Sequence, residues 1–120
     1  MKKRMYRARR RMNHVVNELS HALLLAGSRE IDMRLTKEDS GLRLHMESAF
    51  SPEHQRRMEH MANLLQPVFR DPAVVETYGE LPGEDQYSEE SELALVGQMV
   101  DASQVTVDAG RVRMDLFLAY

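Results

Sequence analysis

The stretch EIDMRLTKEDSGLRLHMES, Glu30 to Ser48, decides how this chain folds. Its first half sets Ile31, Met33 and Leu35 against Asp32, Arg34 and Thr36, and its second half sets Leu42, Leu44 and Met46 against Arg43, His45 and Glu47. A period of two belongs to a β-strand with one apolar and one polar face, because successive side chains point to opposite sides of the pleat. The polar KEDSG between the two runs reads as the loop of a hairpin. Such a hairpin has to bury its apolar face against something else in the chain.

Upstream, Met12, Val15, Val16, Leu19, Ala22, Leu23 and Ala26 recur at helical spacing from about Tyr6 to Ala26, and Gly27 supplies a stop. Downstream, SPEHQRRMEHMANLLQ offers Ser51 as N-cap, Pro52 at the first helical position and Glu53 in the first turn, with Met58, Met61, Leu64 and Leu65 turned inward. Pro67 and the Asp71-Pro72 pair end that helix. AVVETYGEL reads as a short helix, and residues 79–90 read as an acidic mobile loop. SELALVGQMV then places Leu93, Val96 and Met99 or Val100 on one helical face, and QVTVDAGRVRMDLFLAY is a second pair of alternating runs joined at DAG.

The expected fold class is therefore α+β: a two-layer sandwich in which a four-stranded sheet of two hairpins is covered on one face by three to four helices. The other face of the sheet is expected to carry Asp32, Arg34, Arg43, His45, Glu47, Thr106, Arg113 and Asp115, since residues two apart in a strand share a face. From these, Arg34, Arg43, His45 and Arg113 are the candidate contacts for a partner protein.

Composition agrees with one domain. A chain of 120 residues, 42% hydrophobic and 29% charged, suffices for a single core over 1–120. Without cysteine there is no disulfide framework, thiol nucleophile or thiolate metal site, and a reducing, cytoplasmic setting is expected. The apolar run Ala22 to Ala26 is too short to span a membrane, and His14, Asn17, Glu18 and His21 interrupt any signal-like segment. The net charge of −3 hides a polarity. Residues 1–11, a basic N-terminal arm or helix start, hold Lys2, Lys3, Arg4, Arg7, Arg9, Arg10 and Arg11 with no acid, whereas Asp71 to Asp101 holds acids only.

VVNELSHALLLAG resembles the first helix of the GHKL ATPase fold, shared by histidine kinase catalytic domains and anti-sigma factor serine kinases, and SELALVGQMVDASQVTVDAGRVRMDLFL is similar to its closing helix and hairpin. The resemblance covers about Asn13 to Ser48 and Ser91 to Leu118. It implies that Glu18 stands at the family's helix glutamate, while Ala22 occupies the place of the asparagine that contacts the metal on ATP. HMESAFSPEHQ has neither the aspartate nor the glycines of the D-x-G-x-G adenine box, and Glu84 to Glu92 is acidic where a phosphate loop needs glycine and positive charge. The resemblance thus implies the frame of a nucleotide-binding fold with a degenerate site, so no cofactor is expected; Glu18 is the one residue left to suggest cofactor binding.

Glu18 and His21 form Glu-x-x-His, and His14, Glu18 and His21 fall on one helical face, which could begin a metal site. No second such motif completes a bundle-type centre, so no metal is expected. His21 in ELSHALLL also has a passing likeness to the phosphoacceptor histidine of sensor kinases, against the plainer reading of a boundary histidine on a packing helix. No catalytic constellation, Walker loop or Rossmann fingerprint is present. The basic arm, with Tyr6 able to stack on a base, is the one feature of nucleic-acid character. The sequence therefore favours a non-catalytic regulatory or protein-interaction domain, working with another protein or as a homodimer. An ATP-binding anti-sigma-type serine kinase regulator and a nucleic-acid-binding module are the alternatives.

Overall fold

The computed structural model describes residues 2–66 and 89–120. Helix α1 (Lys2–Leu25) leads into the hairpin of β1 (Ile31–Lys37) and β2 (Gly41–Ala49). A 3-10 turn (Pro52–His54) then opens α2 (Gln55–Leu65). After α3 (Glu89–Met99) comes the closing hairpin, β3 (Ala102–Asp108) and β4 (Arg111–Ala119). The sheet is antiparallel throughout in the order β1-β2-β4-β3, so the two hairpins join through β2 and β4. This is the expected α+β architecture, with three α-helices among the described residues. None of those helices is long and apolar enough to cross a membrane.

The core lies between the helices and the inner face of the sheet. Met12, Val15, Leu19, Ala22, Leu23 and Ala26 of the first segment bury against Leu42, Leu44 and Met46 of β2 and Val112, Met114, Leu116 and Leu118 of β4. Met58, Met61 and Leu65 of α2 and Leu93, Val96 and Val100 at α3 complete it. Helix α1 ends as its sequence suggested. Gly27 takes a φ of 89°, the left-handed conformation that glycine tolerates without Cβ strain. Its N–H then donates to the Leu24 carbonyl and that of Ser28 to the Leu23 carbonyl, which closes the last turn in a Schellman motif.

Four expectations change. Helix α1 starts at Lys2 rather than near Tyr6, so of the two readings of the basic residues, arm or helix start, the second holds. Ser51 has extended backbone angles before Pro52, as an N-cap should, but makes no capping hydrogen bond with its side chain. Glu89 and Glu90, placed in the acidic loop, belong to α3; the remainder of that loop and the short helix expected at AVVETYGEL lie outside the described residues. The fourth change is the most consequential. Met33 and Leu35 share the inner side of the sheet with their cross-strand neighbours Met46 and Leu44, yet they are 42% and 52% exposed. The helices pack over β2, β4 and β3, and β1 extends past their cover as an edge strand.

Helices α2 and α3 approach closely at Gly97. A methyl group there would lie 2.5 Å from the Leu64 carbonyl oxygen. Alanine favours a helix interior over glycine by roughly 1 kcal/mol, whereas forcing two packed backbones apart costs about 1–3 kcal/mol. Gly97→Ala is therefore expected to lower the thermal unfolding midpoint, against its helix propensity. Leu23→Ala, which empties a fully buried site, should cost more, about 2–5 kcal/mol. Exposed His21→Ala should stay within about 0.5 kcal/mol of the parent. Calorimetric melts of the three variants check this order.

Candidate functional site

The polar face of the sheet is built by register. Pairing of β2 with β4 sets Arg43 beside Phe117, His45 beside Asp115 and Glu47 beside Arg113, while β1 adds Arg34 beside His45 and Asp32 beside Glu47. No helix among the described residues covers this face, and many of its side chains pair with one another. Arg43 donates from Nε to Glu38 Oε2 at 2.7 Å and from Nη1 to Asp115 Oδ1 at 2.6 Å, with its guanidinium 5.0 Å from the Phe117 ring centre. His45 lies between Glu47 Oε1, 3.3 Å from Nε2, and Asp115 Oδ2, 3.8 Å from Nδ1. Glu47 also receives Arg113 Nε at 3.2 Å and Arg111 Nη2 at 3.5 Å.

The result is one chain of alternating charge, from Glu38 through Arg43, Asp115 and His45 to Glu47. Its electrostatic effects follow contact by contact. The hydrogen bonds to Glu38 and then Asp115 raise the affinity of Arg43 for its proton. Glu47 is held below the ordinary carboxylate value of 4.5, first by its hydrogen bond from His45 and next by the charge of Arg113, with desolvation working in the other direction.

The four predicted contact residues are therefore together but not equivalent. Arg43, His45 and Arg113 are committed to carboxylates of this same chain. Arg34, on edge strand β1, has no ion-pair partner among the described residues, and neither does its neighbour Asp32. Of the two edge strands, β1 and β3, β1 is the one that combines exposed Met33 and Leu35 on one side with Asp32 and Arg34, unpaired among the described residues, on the other. Sequence reasoning missed it by assigning Met33 and Leu35 to the core. Alternation carries no signal that separates the two strands, since Ile31, Met33 and Leu35 alternate as cleanly as Leu42, Leu44 and Met46.

Other predicted residues fall on α1. Lys3, Arg4, Arg7, Arg9, Arg10 and Arg11 lie on its first turns, as does the backbone of Lys2. Arg7, Arg10, Arg11 and His14 line a shallow cleft with Met99, and Arg4, Arg7 and Arg11 a second one with Asp101 and Tyr120. Tyr6 is exposed, with the Arg10 guanidinium 5.9 Å from its ring centre. His21 is exposed and apart from both His14 and Glu18 as a ligand group. Glu18 is half-buried and comes together instead with His14 and Glu92 of α3. Ala22 and Ala26 open, with Arg57, His60, Met61 and Leu93, onto a cavity of about 270 Å³ between the helices.

Comparison with protein families, with characterised proteins and with solved structures found no match to this chain.

A carboxyl with a depressed folded-state value contributes stability that is complete above its unfolded value and is lost as pH falls through the lower, folded one. Replacing Glu47 with glutamine removes that contribution and leaves the chain's other acids in place. Between about pH 5 and about pH 3 the urea midpoint of the parent should fall further than that of Glu47→Gln. Parallel curves for the two proteins would mean that the contacts to Glu47 carry no net stability.

Proposed function

We propose that this chain is a non-catalytic regulatory domain of GHKL ATPase-like ancestry that works by protein interaction, and that its first partner is a second copy of itself joined through β1. The observation that carries the reading is the uncovered edge of β1. An exposed, partly apolar edge strand offers unpaired backbone groups to another strand, and strand addition is a standard route to association.

Charge selects the occupant. If two β1 strands pair antiparallel about Met33, Asp32 of each faces Arg34 of the other, and Ile31 faces Leu35 on the apolar side. A register centred on Arg34 would oppose two like charges, which disfavours it. The strand is thus complementary to itself. The degenerate-ATPase part of the reading is supported by the element order, one helix followed by a hairpin, further helices and a closing hairpin, and by Ala22, which has no oxygen for a metal-nucleotide.

The cavity beside Ala22 favours a second reading, a nucleotide-binding regulator, because Arg57 and His60 stand at its lining. Calorimetry with ATP and magnesium separates the two, and no saturable heat at micromolar concentrations is expected.

Sedimentation equilibrium tests the main reading. The parent is expected to dimerise, and Leu35→Lys to shift it to monomer. Arg34→Asp opposes carboxylates twice across the two-fold axis, at about 0.2–1 kcal/mol a pair, and should weaken association roughly tenfold. Adding Asp32→Arg to Arg34→Asp reverses both signs together and should restore it. A parent that stays monomeric on the order of 100 μM, or a double variant no better than the single, would refute pairing through β1.

A further inference from the structure

The packing of α1 on α3 brings three metal-type donors to one place. His14 and Glu18 are four residues apart on one face of α1, and Glu92 lies in the first turn of α3. His14 Nε2 is 3.6 Å from Glu92 Oε2, and one donor atom from each of the three residues lies within 4.8 Å of the others. All three side chains are half-buried. We propose that His14, Glu18 and Glu92 form a binding site for a divalent transition-metal ion of the zinc class, joining α1 to the start of α3. This does not depend on self-association through β1 or on the ATPase-like ancestry.

The donor set argues for the class of ion. An imidazole nitrogen with two carboxylate oxygens suits zinc and its neighbours, whereas magnesium and calcium favour oxygen-only shells. Ligand bonds of about 2.0–2.2 Å place donors roughly 3–3.5 Å apart in a tetrahedral or octahedral shell. The present 3.6 Å between His14 and Glu92 is close to that, and side-chain movements of about 1–2 Å close the widest gap. Charge argues the same way. Two carboxylates neutralise a divalent ion, and the ion relieves their mutual repulsion. The guanidinium groups of Arg7, Arg10 and Arg11 line the cleft that His14 shares, so they oppose a cation and set the expected affinity in the micromolar range rather than below it.

Three protein ligands leave at least one coordination position open. One turn further along α1, Ala22 begins the cavity that Ala26 and Leu93 also line, so an exchangeable ligand on the ion has space beside it. An ion here would have two effects: it would hold the N-terminal end of α3 against α1, and it would present a Lewis-acidic position to that cavity.

The test uses the full chain stripped of metal with EDTA and dialysed. Titration with zinc chloride at neutral pH is expected to show one site per chain with a dissociation constant on the order of 10 μM or tighter. His14→Gln and Glu18→Gln should each weaken it at least about tenfold, and His21→Ala should leave it unchanged. Magnesium should give no saturable heat. Zinc should also raise the unfolding midpoint of the parent, reversibly with EDTA, and should not raise that of Glu18→Gln, whose fold is verified by circular dichroism. Absence of saturable zinc binding, or binding that survives both ligand substitutions, would overturn the proposal and leave His14 and Glu92 as a helix-to-helix ion pair alone.

Discussion

The antiparallel pairing of β2 with β4 is the interaction on which the rest of this structure depends. It joins the N-terminal hairpin to the C-terminal one and runs the full length of both strands, from Gly41 opposite Ala119 to Ala49 opposite Arg111. Its inner side supplies the floor of the core, Leu42, Leu44 and Met46 beside Met114, Leu116 and Leu118. Its outer side supplies the charge chain, Arg43, His45 and Glu47 beside Asp115 and Arg113. One register fixes both, because a slip of a single residue would exchange the faces and bury the charges. On the opposite side of β4, Asp101 just before β3 ties that strand's start to the end of β4: its backbone N–H donates to the Phe117 carbonyl and its carboxylate accepts from the Ala119 N–H.

A good deal of this was legible in the sequence, for a local reason. Alternation at Leu42, Leu44 and Met46 and spacing at Leu19, Ala22, Leu23 and Ala26 are short-range patterns, and each element obeyed its own period. Much of the polar face was legible too, because it is the complement of the apolar one, although Glu38, Arg111 and Phe117, which join its network, were not among the residues expected there. What was not legible depended on the third dimension. Met33 and Leu35 alternate as well as Leu42 and Leu44 do, but whether a helix lies over them is decided by the width of the helix layer against four strands. Periodicity reports a face and says nothing of its cover.

The same distinction governs the histidines. Sequence spacing grouped His14 and Glu18 with His21, since all three fit one helical face. Packing instead selects Glu92, which comes from a helix far along the chain, and leaves His21 exposed. A Glu-x-x-His pair records what can meet along one helix; it cannot record what the neighbouring helix brings. Glu92 carried no motif of its own, only its position one residue before the buried Leu93, at the border of the apolar stripe.

The exposed β1 edge and the interhelical cavity both follow from a mismatch of scale between layers. Among the described residues three helices lie over four antiparallel strands and leave β1 without cover, and its polar side holds charges of both signs without ion-pair partners among those residues. Within the helix layer the small residues Ala22, Ala26 and Gly97 let α1, α2 and α3 meet closely at some points, which leaves a cavity where their side chains are too short to fill the space. Larger residues at Ala22 and Ala26 would pack that space at a gain of buried apolar area, roughly 0.8 kcal/mol for each methylene accommodated without strain. Natural sequences sit above a stability threshold and not at their optimum, so an unfilled cavity alone implies no ligand. Its position beside His14, Glu18 and Glu92 is what gives it chemical interest: the apolar lining would hold the body of a small ligand, and the cluster of donors one turn away would hold its charged end through an ion.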